Sequence, residues 1–116
     1  MLLLGTSEAC RAVEALGFKA EEAFLEDSAI RMLRQSTKAQ TPFRFVLLDL
    51  DDNTIDVARF AKNARLIAKE FSFTITIIGC SEFLPDEMRR VCDSNNVVSL
   101  YKPLDEENLK SVLTKM

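Results

Sequence analysis

The stretch FVLLDLDDNTID, residues 45–56, ends an apolar run on Asp49 and follows it with Asp51 and Asp52. Buried carboxylates are costly unless paired or coordinated, so these acids belong at an exposed strand end. They form either a solvated turn or a phosphoryl or Mg²⁺ site. Residues of the types such a site needs stand further on: Ser81 after ITIIGC, and Lys102-Pro103 after VVSLY. A carboxylate can attack a phosphoryl group and form an acyl phosphate. An ammonium pairs with the phosphoryl oxygens and a hydroxyl hydrogen-bonds them. Mg²⁺ normally neutralises the charge that remains.

The rest of the composition narrows the chemistry to these groups. The chain has no His, which removes Ser-His and Cys-His dyads, most zinc sites and any phosphotransfer histidine of its own. With 3 Gly and no GxxxxGK stretch there is no nucleotide cradle. At 116 residues and 47% hydrophobic content the chain suits one domain, residues 1–116, with one core. A net charge of -3 argues against a nucleic-acid partner or an anionic-membrane surface. No apolar run approaches the roughly 20 residues that span a bilayer. Cys10, Cys80 and Cys92 have no CxxC spacing and read as buried or free thiols, which suggests a cytoplasmic setting.

The elements that must position the acids alternate along the chain. Leu2–Leu4 reads as a strand, and Thr6 or Ser7 can cap a helix that runs to Leu16 and stops at Gly17. Lys19–Phe24 is a short strand, Ser28–Ser36 a helix, Thr37–Pro42 a loop and Phe43–Leu50 a strand. Ile55–Phe71 carries Val57, Phe60, Ala61, Ala64, Ile67 and Ala68 at helical spacing. Phe73–Ile78 is strand-like, Pro85–Asp93 a helix opened by Pro, Val97–Tyr101 a strand and Asp105–Lys115 a helix with acids first and Lys last. Five βα units with apolar central strands predict an α/β fold, a five-stranded parallel sheet in order 2-1-3-4-5 with helices on both faces. Function in such sheets gathers at the carboxyl ends of the strands: Gly5-Thr6, Asp49, Cys80-Ser81 and Lys102-Pro103.

This pattern resembles the receiver domain of two-component response regulators and hybrid histidine kinases, the CheY-like family, over nearly the whole chain. FVLLDLDDNTIDV follows the receiver's third strand and its LLDLxMPxMDG tail, IIGCS the strand that ends in Thr or Ser, and VVSLYKPL the strand that ends in Lys-Pro. The resemblance implies that Asp49 is the phosphoacceptor, Ser81 the switch hydroxyl and Lys102 the phosphate-contacting lysine, with Cys80 the alternative to Ser81 under a one-residue shift. It implies a cis bond before Pro103. It also implies a phosphorelay module rather than a turnover enzyme, with a histidine kinase or histidine phosphotransfer protein as partner. Departures from the family are specific. LLLGTSE offers Gly5 and Thr6 where receivers end their first strand in a Mg²⁺-binding acid pair, and Glu8 is the nearest acid. The implied Mg²⁺ site, on Asp49 and the Asp51 position, is therefore expected to be weak. Asn53 replaces the usual Pro, and Ser99 stands at the aromatic switch, with Tyr101 the nearest aromatic.

Two further readings stay open. One is a pseudo-receiver, a protein-interaction module that works without phosphorylation, favoured by the missing first-strand acids. The other rests on LLDLDDNT, which also resembles the DxDx(T/V) motif of haloacid-dehalogenase-like phosphatases, with Asp49 as nucleophile and Asp51 as general acid. Against it, that motif normally opens its domain.

Overall fold

A computed structural model of the chain describes residues 1–52, 55–102 and 105–114. Strands and helices alternate: β1 (Leu2–Leu4), α1 (Cys10–Ala15), β2 (Glu21–Ala23), α2 (Glu26–Lys38), β3 (Phe45–Asp49), α3 (Val57–Glu70), β4 (Thr76–Ser81), α4 (Asp86–Ser94), β5 (Val97–Tyr101) and α5 (Glu106–Thr114). Every strand pairing is parallel, and the sheet order is β2-β1-β3-β4-β5, as the sequence predicts.

Side chains alternate across a strand, and this period of two divides the core into two layers. Leu2, Leu4, Val46, Leu48 and Ile77 pack with Leu33 of α2, Phe60, Ala64 and Ile67 of α3, and Cys92 of α4. Leu3, Leu47, Ile78 and Cys80 face the other way, onto Val13 of α1 and Leu109 of α5. The central strands are buried on both faces, which is why they read as unbroken apolar runs rather than alternating ones. Among the described residues no helix is long and apolar enough to cross a membrane.

Several elements depart from their expected bounds for local reasons. The first helix opens as a 3₁₀ turn over Ser7–Ala9 and becomes α-helical at Cys10, with Ala9 at the N-cap position and no side-chain cap there, while the Thr6 hydroxyl donates to the Leu47 carbonyl at 3.3 Å. Gly17, at φ +91°, does end that helix. Helix α2 is longer at both ends, starting with Glu26 and Asp27 in its first turn and running through Thr37 and Lys38. Strand β4 lies about half its length further on than expected. Residues 73–75 precede it, and it continues through Gly79 and Cys80 to Ser81. Helix α3 begins at Val57, with the Asp56 side chain accepting from Arg59 N–H at 3.1 Å as its cap. Pro85 caps α4 rather than standing as its first residue. The bounds of β1 and β5 coincide with those read from the sequence.

Candidate functional site

The parallel ladder brings three of the candidate residues to one rim. Asp49 ends β3 opposite Cys80 of β4, and Ser81 ends β4 opposite Tyr101 of β5. The ladder then continues past both strand ends. Leu50 N–H donates to the Cys80 carbonyl at 2.8 Å, and Lys102 N–H to the Ser81 carbonyl at 2.9 Å. Leu50 is held there by packing, because its side chain fills the space over Gly79. A Cβ on Gly79 would stand 2.7 Å from Leu50 Cδ2. The turn that carries Asp51 is thus anchored on β4.

Lys102 Nζ lies 3.0 Å from Asp49 Oδ1 and 3.1 Å from Asp51 Oδ2. The Asp49 and Lys102 side chains are 18% and 17% exposed, and that of Asp51 is 36% exposed. Asp49 Oδ1 also accepts from Asp51 N–H at 3.0 Å, the local turn that Asp side chains favour. Ser81 does not reach Asp49 directly. Its hydroxyl lies 2.6 Å from Asp51 Oδ1 and 2.6 Å from the Phe83 carbonyl, and it accepts from Phe83 N–H at 3.2 Å. One hydroxyl proton serves one acceptor fully, and the carboxylate is the stronger of the two. Glu82 N–H completes the set, donating to Asp51 Oδ2 at 3.1 Å.

Electrostatics follow from these contacts. The Ser81 hydroxyl is the largest influence holding the Asp51 carboxyl below the usual carboxylate range. Burial opposes it, while the Glu82 amide and Lys102 reinforce it. Burial is the largest single influence on Lys102 and pulls its ammonium down. The hydrogen bonds and charges of Asp49 and Asp51 outweigh it together and hold Lys102 above the ordinary lysine range. Cys80 is fully buried, with Sγ 3.1 Å from the Leu48 carbonyl, and burial followed by the Asp49 charge pushes its thiol up to about 12. Ser81, not Cys80, therefore presents its polar atom to the rim.

Beside Asp49, β1 is followed by Gly5 at φ +71°, and a Cβ there would stand 3.4 Å from Asp49 Cβ and 3.7 Å from Asp52 Oδ2. Thr6 is buried against Leu47. Tyr101 is half exposed, its hydroxyl accepting from Arg89 Nη2 at 2.8 Å, and Ser99 pairs with Gly79 inside the sheet. The expected cis bond at Pro103 lies outside the described residues, as does Asn53. Sequence reasoning missed the contacts of Asp51 with Ser81 and Glu82. An Asp two positions after Asp49 was visible, but its partners sit some thirty residues on and only the ladder brings them near.

No family model matches the chain, and no curated protein matches it. Solved structures do. Chemotaxis protein CheY4 of Vibrio cholerae superposes with a TM-score of 0.75 at 19% identity, covering 98% of this chain and 94% of that one. A two-component response regulator from Legionella pneumophila gives 0.73 at 22% identity, covering 99% and 98%. The receiver domain of the histidine kinase CKI1 from Arabidopsis thaliana, complexed with Mg²⁺ and BeF₃⁻, gives 0.73 at 15% identity, covering 97% and 88%. With the same strand order and near-complete coverage on both sides, the chain has the CheY-like receiver fold.

Proposed function

We propose that this chain is a receiver module whose Asp49 accepts a phosphoryl group from the phosphohistidine of a histidine kinase or histidine phosphotransfer protein. The observation that carries the reading is the Lys102 ammonium 3.0 Å from the Asp49 carboxylate at a strand-end rim shared with Ser81. In the transfer an Asp49 oxygen forms a bond to phosphorus as the phosphorus–nitrogen bond breaks, and the nitrogen's electron pair returns to the imidazole. Asp49 Oδ1 already accepts from Asp51 N–H and Lys102, so attack falls to Oδ2. Lys102 then balances part of the charge on the acyl phosphate, and the Ser81 hydroxyl and Glu82 amide are the donors within reach of its oxygens.

Mg²⁺, when bound in a receiver, neutralises further phosphoryl charge. The residues here fit it only in part. Asp49 and Asp51 already share Lys102, and no group of three His, Cys, Asp or Glu side chains that could hold a metal occurs among the described residues. Mg²⁺ is therefore expected to bind weakly, with little NMR shift perturbation at millimolar concentration. Saturation there, with several protein carboxylates coordinating, would overturn this expectation.

The end of β1 favours a second reading, a module that binds its partner without phosphorylation. Gly5 and Thr6 bring no carboxylate to the rim, and the Thr6 hydroxyl is spent on Leu47. The phosphatase reading has less support, since a general acid must hold a proton and the Asp51 carboxyl is held below the usual range. Intact mass after exposure to acetyl phosphate and Mg²⁺ tests the acceptor reading. Slow addition of one phosphoryl group that vanishes in Asp49→Asn is expected. No addition from acetyl phosphate or from a phosphorylated histidine partner, with partner affinity unchanged by Asp49→Asn, would leave the phosphorylation-independent module.

A further inference from the structure

The donors around Asp49 are already holding an anion, and that anion belongs to the chain itself. Asp51 Oδ1 takes the Ser81 hydroxyl at 2.6 Å, while Oδ2 takes the Glu82 amide and the Lys102 ammonium, each at 3.1 Å. These donors come from the ends of β4 and β5. Asp51 reaches them from the turn after β3, two residues past Asp49, whose Oδ1 accepts its N–H. A carboxylate with a hydroxyl on one oxygen and an amide plus an ammonium on the other is bound as an oxyanion, not displayed as a solvated turn acid.

We propose that Asp51 is a tethered occupant of the oxyanion subsite beside Asp49, so that a phosphoryl group settles on Asp49 only as the Asp51 carboxylate gives up Ser81, Glu82 and Lys102. The proposal rests on the reading of Asp49 as acceptor. Its physical basis is charge and donor number. Before transfer two carboxylates share one ammonium. Phosphorylation removes the Asp49 carboxylate charge but brings a group carrying nearly two negative charges to the same donors. One ammonium cannot balance that group and Asp51 together, and one hydroxyl proton and one amide proton cannot serve both. The side chain with an exit is Asp51, which is 36% exposed, twice as much as Asp49. Asp51 thus sets the rate at which Asp49 is modified. It also holds the turn of Ser81, Glu82 and Phe83 in an anion-bound arrangement in the unmodified protein.

The test compares wild type with Asp51→Ala and Asp51→Asn, each also combined with Asp49→Asn. The Asn variant keeps the side chain's size and covers the case in which Asp51→Ala fails to fold. The first readout needs no chemistry at Asp49: NMR amide shifts of Glu82 and Lys102 under inorganic phosphate, without metal. Phosphate is expected to move both amides in the Asp51 variants and to leave wild type unchanged. Equal shifts in wild type, or a Glu82 amide shift indifferent to loss of the Asp51 carboxylate, would overturn the occupancy. The second readout is the rate of labelling by acetyl phosphate, expected to rise at least about tenfold in the Asp51 variants, about 1.4 kcal/mol, and to vanish with Asp49→Asn. Labelling of Asp49 that is no faster in the variants overturns the gating. If no protein labels but the phosphate arm behaves as expected, the acceptor reading fails while the occupied subsite stands.

Discussion

Asp51 and Lys102 lie 3.1 Å apart, and the response of this pair to pH has a definite sign. The Asp51 carboxyl is lowered in the folded protein. Its stabilisation is therefore present above the unfolded value of about 3.9 and lost as pH falls through the folded one. Lys102 is raised, so its contribution is present below about 10.4 and lost only as pH rises through its folded value. Between these limits the pair adds no pH dependence. Urea midpoints from pH 7 down to pH 2 are expected to fall along a shallower acid limb in Asp51→Asn than in wild type; parallel limbs would place the lost carboxylate elsewhere. Thiol reactivity is a second check at this scale. Cys80 and Cys92 are fully buried and Cys10 is not. A thiol reagent at pH 8 is expected to modify Cys10 alone in the folded protein and all three cysteines in denaturant.

The candidate site depends on an element-scale packing contact, Leu50 of the turn after β3 lying over Gly79 of β4. Gly79→Ala would put a methyl within 2.9 Å of three Leu50 carbons. Both strands are central, so relief falls to the Leu50 side chain, whose displacement is expected to disturb the turn that carries Asp51. A loss of about 1–3 kcal/mol is expected from urea unfolding, with a shift of the Glu82 amide even in the folded variant. Unchanged stability would mean that Leu50 has another rotamer open to it. Helix α3 offers a milder case. Removing its cap in Asp56→Ala is expected to cost about 1 kcal/mol, read from the same unfolding curves, because the Arg59 amide loses its acceptor.

At the scale of the molecule, β1 and β3 join the two core layers. Leu2 and Leu4 face α2 and α3, while Leu3 and Leu47 face α1 and α5. Opening either strand exposes both layers at once. Amide exchange is expected to be slowest at Leu4, Val46 and Leu48, approaching the global unfolding rate. The edge strand β2, with Glu21 and Glu22 exposed, should exchange through local opening. Faster exchange in β3 than in β2 would contradict this two-layer architecture.

The sequence alone determined the class of fold, because apolar runs alternating with amphipathic helices leave a parallel sheet covered on both faces as the economical solution. It placed β1 and β5 to the residue, since Gly5 and Lys102-Pro103 punctuate them. It also singled out Asp49, Ser81 and Lys102 by type and strand-end position. It misplaced β4, because Phe73–Ile75 look like strand and Gly79 looks like a breaker until Leu50 is seen to need the space. It put α2 late, since Ser28 resembles a cap while the true first turn is acidic. Only the tertiary structure decided what Asp51 does. Its partners lie about thirty and fifty residues away, and pattern in one stretch of chain carries no information on which strand end will present a hydroxyl, an amide and an ammonium to one carboxylate.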